Sequence, residues 1–86
     1  MELSIIIVNY NTRPFLARCL AALTTTTTVP YEIIIVDNHS TDDSVPWLRS
    51  VNAPRIRVIF NSENRGYAAA CNQGLDRATG RYLVTM

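Results

Sequence analysis

The sequence predicts an α/β fold built on a parallel sheet, in the order βαβαβαβ. Three observations carry that expectation. Short β-branched runs recur at Leu3–Val8, Tyr31–Val36, Arg55–Phe60 and Arg81–Met86. Segments with apolar residues at helical spacing separate them. The first two runs are almost continuously apolar, the mark of strands covered on both faces, which open antiparallel sheets rarely need. Strands alternating with helices imply right-handed crossovers and a parallel sheet, with expected strand order 3-2-1-4.

Each element follows from its residues. Leu3-Ser4-Ile5-Ile6-Ile7-Val8 is broken by Asn9-Tyr10-Asn11-Thr12. Asn11 or Thr12 can cap a helix, and Pro14 suits its first turn, where a missing N–H costs nothing. Phe15, Leu16, Cys19, Leu20 and Leu23 then form the inward face, with Arg13 and Arg18 off it. The threonine run Thr24–Thr28 is expected to end this helix, because its hydroxyls compete for the backbone, and to form a surface connection. Tyr31–Val36 is the second strand, with Asp37 at its carboxyl end. Ser40 or Thr41 is expected to cap a second helix whose first turn carries Asp42 and Asp43, the favourable sign at that dipole end. Val45, Leu48 and Val51 face inward, and Asn52-Ala53-Pro54 closes the helix. The third helix, Tyr67–Ala78, turns Ala68, Ala69, Cys71, Leu75 and Ala78 to the sheet, and Gly80 suits a left-handed position after it. Arg81–Met86 begins a fourth strand.

The totals narrow the function. A chain of 86 residues allows one domain with a thin core. With 48% apolar and 17% charged residues it is not a disordered chain. Lys+Arg 8 against Asp+Glu 7 leaves a net charge of +1, which provides no field for nucleic acid. All eight cations are arginine. Cys19 and Cys71 show no metal-ligand spacing, and buried reduced thiols are expected. The N-terminus has no basic leader and the longest early apolar run is far too short to span a bilayer, so a cytoplasmic location is expected, with peripheral association at the inner membrane face open.

Ligands of such sheets sit outside the carboxyl ends of the strands, near the point where strand order reverses. The loops there hold the polar density: Asn9, Tyr10 and Asn11; Asp37, Asn38, Ser40 and Asp42; Asn61, Glu63, Asn64, Arg65 and Gly66. A nucleotide needs an acceptor for base or ribose donors, donors for its diphosphate, and a wall for the base. Asp37 supplies the acceptor, Tyr10 can supply the wall, and Arg65 or the backbone at Gly66 can meet phosphate. Plainer roles compete. Asp42 with Ser40 reads as helix capping, Asn61 and Asn64 as turn residues, and Gly66 as a point of close helix–sheet approach. His39 is a lone loop histidine expected to face solvent. Asp42 and Asp43 are adjacent and do not share a helix face, so they do not make a metal pair. No glycine stands in Asn9–Pro14, which excludes the dinucleotide-binding fingerprint and the P-loop there.

Ile5–Asn11, Ile35–Asp42 and Asn61–Gly74 together resemble glycosyltransferase family 2, most closely its rhamnosyltransferase-like members, in the family's order and spacing from Leu3 onward. The resemblance implies the Rossmann-like half of a GT-A fold, and an inverting transfer of a sugar from a UDP- or dTDP-linked donor to a glycan or lipid-linked acceptor. It implies that Asn9, Tyr10 and Asn11 lie along the nucleotide, that Asp37 contacts base or ribose, and that Asn64, Arg65 and Gly66 lie near ribose and diphosphate. In the family an Asp-x-Asp motif after the fourth strand holds Mg²⁺ or Mn²⁺, and the base that activates the acceptor lies further on. Residues 1–86 are therefore expected to be the nucleotide-binding part of a longer domain, holding no metal and no catalytic base. A non-catalytic nucleotide-binding or interaction domain ending at Met86 is the competing expectation. The exposed fourth strand is expected to favour self-association.

Overall fold

The computed structural model describes residues 2–51 and 53–86. Seven elements follow in the expected alternation: β1 (Leu3–Asn9), α1 (Arg13–Thr26), β2 (Tyr31–Asp37), α2 (Ser44–Ser50), β3 (Ile56–Phe60), α3 (Tyr67–Arg77) and β4 (Tyr82–Thr85). The strands form one parallel sheet in the order β3-β2-β1-β4.

Handedness then places the helices. The chain moves in one direction across the sheet from β1 to β3, so right-handed crossovers put α1 and α2 on the same face. It returns from β3 to β4 beyond β1, so α3 falls on the opposite face. The packing agrees. Ile5, Ile7, Ile33 and Ile35 pack with Leu16 and Leu20 of α1 and Leu48 of α2. Ile6 and Ile34 point the other way, onto Cys71 of α3. Every residue of β2 is buried, which is why its sequence is apolar at consecutive positions. The reversal of strand order falls between β1 and β4.

Several local expectations need correction. Phe15 is 57% exposed, and Leu16 and Leu20 alone of the expected α1 face are fully buried. Cys19 is half-buried, whereas Cys71 is buried; both are free thiols. The threonine run ends α1 as expected, but only after Thr26. Thr24, Thr25 and Thr26 stay helical, their hydroxyls donating to the carbonyls of Leu20, Ala21 and Ala22 at 2.8, 2.8 and 2.6 Å. A β-branched hydroxyl that bonds back one turn is compatible with the helix it was expected to break. The second helix begins only at Ser44, after Asp43, so Asp42 and Asp43 precede it, and neither Ser40 nor Thr41 caps it. Leu48 is buried, while Val45 and Val51 are half-buried. Asn52, expected to help close this helix, lies outside the described residues.

The buried stripe of α3 is Ala70, Cys71 and Gly74, and Ala68 and Ala69 face solvent. Cys71, Leu75 and Ala78 pack on the sheet as expected, so only Ala68 and Ala69 depart from the expected face. Gly74 brings the helix onto β1: a Cβ there would lie 2.5 Å from the Ile6 side chain. Close approach is thus the role of Gly74 rather than Gly66. Gly66 has open space around it but takes φ 82°, a positive φ that favours glycine and that was expected at Gly80 instead. Gly80 is instead fixed by crowding, since a Cβ would sit 2.6 Å from the Ser4 backbone nitrogen.

Glu32 was not singled out from sequence and is the most constrained charge in the sheet. It is 6% exposed. It accepts from the Ser4 hydroxyl at 2.6 Å, from the Thr79 N–H and hydroxyl at 2.7 and 2.9 Å, and from Arg57 at 2.7 Å. Burial alone would raise its pKa. The hydrogen bonds from Ser4, Thr79 and Arg57 outweigh burial and lower it from 4.5 to about 2. This knot joins β1, β2, β3 and the turn before β4 at the amino ends of the strands, away from the polar loops.

Candidate nucleotide site

The register β1–β2 pairs Asn9 with Asp37 at the carboxyl edge of the sheet. Both side chains are 1% exposed. Asn9 Nδ2 donates to Asp37 Oδ1 at 2.9 Å and to Ser40 Oγ at 3.2 Å, and Asn9 Oδ1 accepts from Thr12 at 2.7 Å. All the polar capacity used by Asn9 therefore serves the loops, and its part in the site is to hold Asp37. Asp37 Oδ1 also accepts from the Ser40 hydroxyl at 2.7 Å, and Oδ2 from the Ser40 N–H at 3.0 Å. Oδ1 has two partners and Oδ2 one. A carboxylate has about four acceptor positions, so one remains, on Oδ2.

Asn11 fastens the loop after β1 to the loop after β2. It takes φ 55°, a left-handed conformation that asparagine tolerates. Its Oδ1 accepts from the N–H groups of Thr41 and Asp42 at 2.7 and 3.1 Å, and its own N–H donates to Ser40 Oγ at 3.0 Å. Asp42 in turn accepts from the N–H of Ser44 at 2.9 Å and of Arg13 at 3.3 Å, which ties the starts of α2 and α1 together. Its carboxyl is held below the ordinary range, by Ser44 foremost, with burial opposing and the Arg13 N–H assisting. Asp42 thus performs the capping assigned to it jointly with Ser40, while Ser40 belongs to Asp37. The Arg13–Asp43 pair is long, 3.9 Å, and exposed, and contributes little.

Asn38 does the same for the third loop and was not among the residues predicted for the site. Buried beside Asp37, it donates to the Gly66 carbonyl at 3.1 Å and accepts from the Arg65 N–H at 3.0 Å and Asn61 Nδ2 at 3.1 Å. Asn61 and Gln73 exchange amide hydrogen bonds at 2.8 and 2.9 Å, anchoring the loop to α3. Asn64 turns the chain by accepting from the Gly66 N–H at 2.8 Å. Tyr10 and Arg65 remain exposed.

A cleft of about 510 Å³ opens at the carboxyl ends of β2 and β3. Asp37, Pro46, Arg49 and Phe60 are among its walls, with His39, which takes φ 68° and is exposed. Of the seven residues predicted from sequence, Asp37 alone lines this cleft. Asn9 and Asn11 stand behind it as supports, and Asn64, Arg65 and Gly66 belong to the neighbouring loop held by Asn38. Arg49 and Phe60 were missed. Phe60, an apolar residue at the last position of β3 beside Asp37 in register, was the available signal. Among the described residues, no group of three or more His, Cys, Asp or Glu lies together as a metal site. No helix among them is long and apolar enough to cross a membrane.

Residues 4–86 match the model of glycosyl transferase family 2, and the chain belongs to that family. It is 40% identical over 84 residues to the uncharacterized glycosyltransferase YwdF of Bacillus subtilis, covering 98% of this chain and 31% of that one. Among solved structures, it superposes on Staphylococcus aureus TarS residues 1–349 in complex with UDP-GlcNAc with a TM-score of 0.87. The identity there is 24%, covering 100% of this chain and 26% of that one. It also superposes on the mannosyltransferase PcManGT of Pyrobaculum calidifontis, in complex with GDP-Man and Mn²⁺, with a TM-score of 0.81 and 26% identity. That match covers 95% of this chain and 26% of the other. The fold is that of GT-A glycosyltransferases. The chain spans about a quarter to a third of the length of the curated relatives it matches.

Proposed function

We propose that this chain binds the nucleotide of a UDP- or dTDP-linked sugar, within an enzyme that transfers the sugar with inversion to a glycan or lipid-linked acceptor. The observation that carries this reading is the single acceptor position left on Asp37, in a cleft at the carboxyl end of β2. A uracil or thymine ring presents one N–H between two carbonyls, so one acceptor satisfies its only ring donor. Guanine presents two adjacent donors and would leave one unmet. Cytosine turns a bare ring nitrogen to the carboxylate. An unmet buried polar group costs about 1–3 kcal/mol.

The remaining assignments follow from position. Tyr10 is exposed at the end of β1 and offers a ring face to the nucleotide. Arg65 and Gly66 lie on the adjoining loop, where the Arg65 side chain can meet a diphosphate continuing from the ribose. A divalent ion, which would neutralise charge on the departing diphosphate when bound, and the base acting on the acceptor are assigned to other parts of the enzyme.

Titration of the full-length protein with UDP, dTDP, CDP and GDP tests the reading. UDP or dTDP should bind at least tenfold more tightly than CDP and GDP. Preference for GDP, or equal affinity for all four, would overturn it.

A further inference from the structure

On the nucleotide reading proposed above, Asp37 takes the ring N–H of the base, which leaves two carbonyl oxygens beside it to be met. The cleft contains one full cation that can meet them. Arg49, in the last turn of α2, is exposed and lines the same cleft as Asp37. Its guanidinium lies over the Phe60 ring, 5.1 Å from the centroid. Phe60 is itself a wall of the cleft and stands opposite Asp37 in the β2–β3 register. An arginine stacked on an aromatic ring keeps its N–H groups in the plane of the fork and loses less freedom when it binds. Neither salt bridge found among the described residues involves Arg49.

We propose that Arg49, positioned by Phe60, is a specificity-determining residue that donates to the 4-carbonyl oxygen of a uracil or thymine ring whose N–H is held by Asp37. This rests on the nucleotide reading above and deepens it. The two residues line one cleft with opposite polarity, an acceptor and a donor, as the N–H and C=O of an imide edge require. Cytosine places an amino group and a bare ring nitrogen at these positions, and both are then mismatched. Arg49 thereby contributes to discrimination by base, not to general attraction of phosphate.

The test separates those roles. Full-length protein and its Arg49→Gln and Arg49→Lys variants are titrated with UDP, CDP and the phosphate-free nucleosides uridine and cytidine, with folding checked by circular dichroism. Loss of a charge-assisted hydrogen bond predicts a roughly ten- to hundredfold weaker affinity of Arg49→Gln for UDP. Affinity for CDP should change by less than about threefold, so the UDP/CDP ratio collapses, and the same collapse should appear for uridine against cytidine. Arg49→Lys, which keeps the charge and loses the fork, should recover the ratio only in part. A Phe60→Leu variant should lower the ratio in the same direction by a smaller factor. Equal weakening of UDP and CDP would make Arg49 a phosphate contact and overturn the inference while leaving nucleotide binding intact. An unchanged ratio in Arg49→Gln would overturn it as well. Failure of the unsubstituted protein to prefer UDP over CDP would overturn the underlying reading instead.

Discussion

Replacing Glu32 by glutamine should destabilise the fold at neutral pH and do so less and less as the solution is acidified. The magnitude comes from the carboxylate's surroundings. Four hydrogen bonds from Ser4, Thr79 and Arg57 hold it ionised although it is 6% exposed. Its pKa is lowered from 4.5 to about 2. Each tenfold preference for the charged form is worth about 1.4 kcal/mol, so this carboxylate contributes on the order of 3 kcal/mol at pH 7. The sign follows from the depressed folded pKa. The contribution is complete above the unfolded value of 4.5 and is lost as pH falls toward 2. Arg57 is half exposed, so its pairing is screened and the four bonds do not add. Urea unfolding followed by circular dichroism at pH 7, 4 and 2.5 should show a gap of about 3 kcal/mol between the original and Glu32→Gln proteins at pH 7, closing toward zero at pH 2.5. A gap that is near zero at pH 7, or that does not change with pH, would refute the reasoning.

Other outcomes follow from the same geometry. Asp37→Ala should weaken UDP or dTDP binding by about 1–3 kcal/mol in a calorimetric titration of the full-length protein. It should also lower the unfolding midpoint, because Asn9 and Ser40 lose their acceptor. Gly80→Ala should cost more stability than Gly74→Ala in thermal unfolding. The added methyl at Gly80 meets the Ser4 backbone, whereas at Gly74 it meets the Ile6 side chain and gains up to about 1 kcal/mol in helix propensity. The isolated 86-residue chain should show concentration-dependent association by sedimentation, since Tyr82, Leu83 and Val84 of β4 are all exposed on an unpaired edge. It should show no Mn²⁺-stimulated sugar transfer, because neither the metal's ligands nor the acceptor's base is assigned to it.

The fold was legible because its signals are local. Consecutive isoleucines in β1 and β2 demand two covered faces, and the alternation of elements with right-handed crossovers leaves few topologies. Asp37 was legible for the same reason, standing where a buried strand meets the ligand edge. What escaped depended on pairs far apart in sequence. Glu32 looked like an ordinary strand residue because Ser4, Arg57 and Thr79 lie 25 to 47 positions away. Asn38 stood out only as one polar loop residue among several because its partners, Asn61, Arg65 and Gly66, come from another loop. The inward faces of α1 and α3 were misphased at Phe15 and at Ala68 and Ala69, since small or isolated apolar residues fix helical phase weakly. Gly74, whose contact with Ile6 sets the phase of α3, shows no hydrophobicity to read.

The central claim is that the cleft beside Asp37 holds an imide base. A crystal structure of the full-length protein with UDP tests it most directly. The account predicts the uracil ring in that cleft, its ring N–H within about 3 Å of Asp37 Oδ2 and a carbonyl oxygen at Arg49. A uracil ring bound elsewhere, with Asp37 engaged only by Asn9 and Ser40, would contradict it.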